Sequence, residues 1–138
     1  MLIGDNSFAE AKSYNLKQLN SLSSYEIGNG CFSTIGTFNI DGSKLLESIK
    51  IGSNSFTKHK NSYGKDDSRS FRVSNCDKLE SIEIGQYSFS DYSGKFELSN
   101  TPSLKSLKIG VVGKESVNFY YGSLTIQGNI LNSNAMIS

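Results

Sequence analysis

Apolar residues recur along this chain in two short patterns of fixed spacing. The first centres on an Ile-Gly pair, at Ile3-Gly4, Ile27-Gly28, Ile51-Gly52, Ile84-Gly85 and Ile109-Gly110. Successive pairs stand 24, 24, 33 and 25 residues apart. Leu46 to Phe56 is the fullest copy: Leu-Glu-Ser-Ile-Lys-Ile-Gly-Ser-Asn-Ser-Phe. Leu79 to Phe89 repeats it with Tyr87 at the asparagine position, and Leu22 to Phe32 with Tyr25 and Gly30 as variants. Met1 to Phe8 keeps the second half, with Asn6 and Phe8 in place. Leu104 to Gly110 keeps the first half only, and the motif is lost after Gly110.

The second pattern is an aromatic or leucine, any residue, then an aliphatic. It occurs at Tyr14-Asn15-Leu16, Phe38-Asn39-Ile40, Phe71-Arg72-Val73, Phe96-Glu97-Leu98 and Leu124-Thr125-Ile126. From its aliphatic residue to the next Ile of the first pattern is 11 residues in all four complete cases. The gap on the other side varies. Ile51 to Val73 is 22 residues, where the equivalent steps are 13, 13 and 14. An insertion therefore falls near 57–68. Both patterns alternate with period 2: Ile49 and Ile51 point one way, Ser48 and Lys50 the other. Each repeat predicts two short strands, and no segment sustains an i, i+3, i+4 apolar pattern for a helix. Self-similarity at this period marks a stacked array in which each repeat buries its apolar face only against its neighbours.

The Leu46 to Phe56 copy fits Leu-x-x-Leu-x-Leu-x-x-Asn-x-Leu, with Ile and Phe substituted, at all five defining positions. The chain thus resembles the leucine-rich repeat proteins over nearly its whole length. Its serine-rich repeats and second-side strands are similar to the irregular surface-antigen (BspA-like) class. The resemblance implies an all-β-rich, right-handed repeat solenoid of leucine-rich-repeat type, with about five coils and parallel strands on two sides. At about 4.8 Å per strand, five coils span roughly 25 Å. It also implies an extracellular or cell-surface protein used in adhesion and protein binding. Residues 1–138 read as a single solenoid, uncapped at both ends.

The columns this stacking creates set further expectations. Ile27, Ile51, Ile84 and Ile109 should be buried in adjacent coils, with Phe32, Phe56 and Phe89 stacked inside. The glycine column following each strand should mark a positive φ or a close approach of neighbouring backbones. On the outer face, Glu26, Lys50, Glu83 and Lys108 alternate in sign beside a serine column. That ladder reads either as a register-fixing, solubilising feature or as a ligand-contacting face. Solenoid ends expose an apolar layer and open strand edges unless something covers them. Ile137 lies 11 residues after Ile126, so the tail reads as the start of another coil. Ile3, Phe8, Ile126 and Ile137 are therefore candidate end-to-end contacts, expected against protein and not against water. Either the chain is a segment of a longer array, the expectation placed first, or copies stack end to end, which would propagate as a filament unless it closed.

Composition narrows the chemistry. The net charge is +1, so no global field points to nucleic acid. The apolar share is 36%, low for a compact globule but sufficient for an array of thin layers. No apolar run reaches membrane-span length, so no membrane insertion is expected. Cys31 and Cys76 are too few for a disulfide framework and lack metal-site spacing; they should lie on different sides of the coil, too far apart to bond. No phosphate-binding glycine loop precedes a helix. The chain has one histidine, His59, on the inserted loop, where little orients a base. His59 with Asp66 and Asp67 fits no standard metal spacing. Glu47, Glu80 and Glu83 are the nearest approach to the carboxylate cluster of a β-helical carbohydrate enzyme, and Lys50 and Lys105 neutralise it. The sequence thus points to a non-catalytic binding module without cofactor or metal. Its candidate surface is the charge ladder together with Lys58, His59 and Tyr63 of the insertion. Its partner would be a protein, a second copy of the chain, or a glycan.

Overall fold

A computed structural model describes residues 1–8, 10–11, 16–17, 20–111, 113–127 and 131–137, of which 16–17, 123–127 and 131–137 are described by their backbone alone. Eleven strands run in order: β1 (Leu2–Ile3), β2 (Leu16–Lys17), β3 (Ser24–Ile27), β4 (Thr37–Asp41), β5 (Ser48–Ile51), β6 (Ser70–Ser74), β7 (Ser81–Ile84), β8 (Lys95–Ser99), β9 (Leu104–Ile109), β10 (Ser123–Gln127) and β11 (Leu131–Ile137). No helix occurs among the described residues. Odd-numbered strands form one sheet in the order β1-β3-β5-β7-β9-β11, and even-numbered strands form the other in the order β10-β8-β6-β4-β2. Every pairing is parallel. The chain therefore crosses between two sheets at each step and returns one strand further along, so that β3, β5, β7 and β9 and the connections after them form successive circuits.

Register follows the sequence columns. Ile27 pairs with Ile51, Ile51 with Ile84, and Ile84 with Ile109. In the second sheet Phe38 pairs with Phe71, and Phe71 with Phe96. Ile27, Ile51 and Ile84 are buried, whereas Ile109 is half-buried at the edge of the core. Tyr14 of the second pattern lies outside the described residues.

The core is a mesh of two aromatic stacks. Phe8, Phe32, Phe56, Phe89 and Phe119 stack face to face, with neighbouring centroids 5.2, 5.1, 4.8 and 5.1 Å apart. Phe38, Phe71 and Phe96 stack at 4.8 and 4.7 Å on the second sheet. The stacks meet edge to face at Phe38–Phe56, Phe71–Phe89 and Phe96–Phe119. Offset-stacked and edge-to-face pairs are the two favourable aromatic geometries. The stack exacts a backbone cost: all five of its phenylalanines have φ between 50° and 59°. That left-handed conformation costs an L-residue about 1–2 kcal/mol. Asn6, Gly30, Asn54 and Tyr87, two residues earlier, are left-handed as well. Asparagine and glycine tolerate that region best, which explains the asparagine of the motif.

Phe119 overturns one expectation. The fifth copy does not lose its motif after Gly110: extra residues intervene, and Phe119 then rejoins the column.

A second ladder runs through the connections. The amides of Gly28, Gly52, Gly85 and Gly110 donate to Ile3, Ile27, Ile51 and Ile84 carbonyls, each at 2.8 Å. The side chain preceding each phenylalanine then reaches back one circuit to a glycine carbonyl. Cys31 donates to Gly4 at 3.0 Å, Ser55 to Gly28 at 2.8 Å, Ser88 to Gly52, and Asn118 to Gly85 at 2.8 Å. Buried backbone acceptors that would otherwise be orphaned are thus satisfied. At Gly52 and Gly85 the glycine column serves close approach, not a positive φ. A Cβ on Gly52 would sit 2.7 Å from the Gly28 carbonyl, and one on Gly85 2.6 Å from that of Gly52.

Cys31 and Cys76 are free and buried. Burial raises the Cys76 thiol pKa above its ordinary value.

Two outcomes follow. Gly52→Ala should destabilise by about 1–3 kcal/mol through overpacking against backbone. Gly4→Ala meets nothing within 4 Å and should leave the urea midpoint nearly unchanged. Equal effects would remove the close-approach explanation. Cys31 and Cys76 should resist a disulfide-exchange reagent at pH 8 in the native protein and react fully in urea; rapid native labelling would contradict their burial.

Candidate interaction surface

The charge ladder is in register, as the columns require: Glu26 pairs with Lys50, Lys50 with Glu83, and Glu83 with Lys108. Only one rung closes to an ion pair among the described residues. Lys108 Nζ stands 3.9 Å from Glu83 Oε1, with both side chains about half exposed. Exposed pairs of this kind contribute about 0–1 kcal/mol. From β3 to β9 the outward positions of this face are mainly polar, exposed Leu2 extends the column at Glu26, and among the described residues no exposed aromatic ring rises from it.

The insertion is tightly fastened. Asp91 anchors both of its ends. The Lys58 amide donates to Asp91 Oδ2 at 3.1 Å, and Arg69 Nη1 donates to the same oxygen at 2.7 Å. Arg69 and Asp91 are each 2% exposed. Arg69 Nη2 also donates to the Ser33 and Ile35 carbonyls at 2.7 Å, and its guanidinium lies 5.0 Å from the centre of the Tyr92 ring. The Tyr92 hydroxyl donates to the Ile35 carbonyl, and burial raises its pKa. Asp66 forms an isolated parallel bridge with Tyr92, and Ser93 donates to Asp67 at 2.7 Å. Asp66 accepts from the Ser68 hydroxyl, which lowers its pKa. Across the loop Asn54 and Asn61 exchange two hydrogen bonds, at 2.9 and 2.8 Å. Asp66 and Asp67, the two carboxylates near His59 in sequence, are thus each engaged by a serine hydroxyl.

This fastening presents Tyr63 to a neighbour that the sequence patterns did not reveal. Tyr63 stacks on Tyr120 with centroids 4.4 Å apart and a 31° tilt, and meets Tyr121 at 6.0 Å. Tyr120 and Tyr121 lie edge to face at 4.8 Å. The three are 47, 55 and 50% exposed, which sets them apart from the buried Tyr25 and Tyr92. Tyr120 and Tyr121 follow Phe119, whose place in the phenylalanine column aims the next two residues outward. One sequence signal could have found them. Phe119 stands five residues before Leu124, much as Phe32 stands six before Phe38.

The remaining candidates lie apart from one another. Lys58 and His59 are exposed on the inserted loop. The His59 ring packs against Gly64, where a Cβ would come within 2.5 Å of Nε2. Ile3 is half-buried against the core. Phe8 departs from expectation: it is 61% exposed, because only its inner face is covered, by Phe32. The side chains of Ile126 and Ile137 lie outside the described residues. On the backbone, Ile126 pairs with Leu98. Ile137 pairs with Leu107 and not with Ile109, because an irregularity in β11 shifts the register.

Elsewhere a cleft of about 530 Å³ is lined by Asn20, Asp41, Gly42, Lys44 and Asn75. Its carboxylate, Asp41, already accepts from Ser74 and Asn75, and Lys44 is paired with Asp77. Among the described residues no group of three or more His, Cys, Asp or Glu could hold a metal, and no helix is long and apolar enough to cross a membrane. Compared with known protein families, curated proteins and solved structures, the chain matches none.

Removing one partner of a buried ion pair leaves a charge stranded. Arg69→Met should therefore cost about 3–5 kcal/mol. Arg69→Met combined with Asp91→Leu should cost less than Arg69→Met alone in urea denaturation, and a larger loss in the double variant would contradict the pairing.

Proposed function

We propose that the chain is a leucine-rich-repeat-type β-solenoid acting as a non-catalytic binding module, at the cell surface or outside the cell, with a protein as partner. The two parallel sheets, the alternating order of their strands and the in-register Ile, Gly and Phe columns support the solenoid reading. One observation carries the functional reading: three half-exposed tyrosines from two separate loops pack on one another at the surface. Large rigid rings with a polar tip lose little entropy on binding, and tyrosine is enriched at interface hot spots. Beside them in sequence lie Asn61, Ser62, Gly64, Asn118 and Gly122, the residue types that accompany tyrosine in recognition loops.

The test is titration against a panel of immobilised extracellular matrix proteins and glycans. Saturable binding to a protein of the panel should weaken by about tenfold or more on Tyr63→Ala or Tyr120→Ala, which corresponds to about 1.4 kcal/mol or more. Glu26→Ala should leave it unchanged. Binding that survives the loss of all three tyrosines would eliminate this surface, and binding restricted to glycans would replace the protein partner.

A second reading, head-to-tail stacking of copies, is favoured by the open outer face of Phe8. It predicts concentration-dependent fibres or rings by electron microscopy, abolished by Phe8→Asp. A monodisperse monomer at high concentration would remove it.

A further inference from the structure

The tyrosine cluster has a reactivity that does not rest on partner binding. One-electron oxidation of a phenol gives a phenoxyl radical with spin on its ortho carbons. Such a radical couples to a second one only when a second phenol is close and no better electron donor quenches it first. This chain meets both conditions. It contains no tryptophan, and its two thiols are buried; cysteine oxidation follows exposure and thiolate character. Of its seven tyrosines, Tyr14 lies outside the described residues, Tyr25 and Tyr92 are buried and Tyr87 is half-buried. Tyr63, Tyr120 and Tyr121 are about half exposed, so an oxidant reaches them. The Tyr63 and Tyr120 rings face one another at 4.4 Å with a 31° tilt. Tyr120 and Tyr121 stand at 90°, edge to face, with centroids 4.8 Å apart.

We propose that Tyr63 and Tyr120 form an oxidative coupling site, joined as an intrachain dityrosine by a haem peroxidase using hydrogen peroxide. Each phenol gives up one electron and one proton. The two radicals form one carbon–carbon bond between ortho carbons. Each coupled carbon then passes its hydrogen to its own ring oxygen, which restores both phenols. The protein loses two hydrogens, and one hydrogen peroxide becomes two waters. The new bond ties the connection between β5 and β6 to the connection between β9 and β10. It would hold the surface loops of two circuits together much as a disulfide would, in a chain whose cysteines are sealed in the core.

The test treats dilute full-length protein with a haem peroxidase and one equivalent of hydrogen peroxide, followed by intact mass and tryptic mapping. The expected result is a monomer lighter by two hydrogens in which peptide 61–65 is linked to peptide 115–138. Tyr63→Phe keeps the ring but lacks the phenol oxygen, and should lose that linked pair. Oxidation in urea should lose it too, because proximity is supplied by the fold. Coupling mainly between chains, an equal yield of the pair in urea, or a dominant Tyr120–Tyr121 bond would each overturn the proposal.

Discussion

Successive circuits of the chain lie one strand spacing apart, in register, so each residue's nearest neighbour is its own counterpart in the next circuit. This constraint governs every column. Isoleucine meets isoleucine, phenylalanine stacks on phenylalanine, and charge must alternate or repel. It is most severe at the glycines, where backbone lies against backbone and Gly52 and Gly85 have no room for a Cβ. The ladder of side chains reaching back to glycine carbonyls is the polar counterpart of the same constraint. Cysteine, serine and asparagine all serve there, because each supplies a donor at the right height; Asn118 donates to the Ser88 carbonyl as well.

The same stacking explains the strained phenylalanines. A left-handed residue is costly in isolation. Here the conformation turns each ring into the column, where Phe32, Phe56 and Phe89 each gain two stacked faces. The gain grows with each neighbouring ring. Phe8 carries the left-handed backbone and only one stacked face.

Loops inserted into such an array need their own anchors, since the columns do not hold them. The Arg69–Asp91 pair supplies one at the price of burying two charges. A buried pair is a weak source of net stability but a strong determinant of geometry, because each partner is costly without the other. Its effect is to hold Tyr63 against Tyr120 and Tyr121. A scaffold of nearly invariant columns thus carries its individuality in two connections, as functional loops on rigid frames commonly do.

Period and register were legible in the sequence because stacking forces like onto like. The fixed step of 11 residues placed both sheets, and the columns of Ile, Phe and alternating charge appeared as read. Ile109 fell short of full burial, and in the strand beyond it Ile137 pairs with Leu107 and not with Ile109. The fifth phenylalanine was hidden because extra residues interrupt its copy; its stacking on Phe89 and its left-handed φ identify it. The tyrosine cluster depended on tertiary structure altogether. Tyr63 and Tyr120 belong to different connections, and no spacing rule joins them. They meet because Asp91, in a third connection, ties down both ends of the inserted loop, and because Phe119 takes its place in the core. Repetition encodes what each circuit shares with the next, whereas contacts between unlike insertions arise only when the array places them side by side.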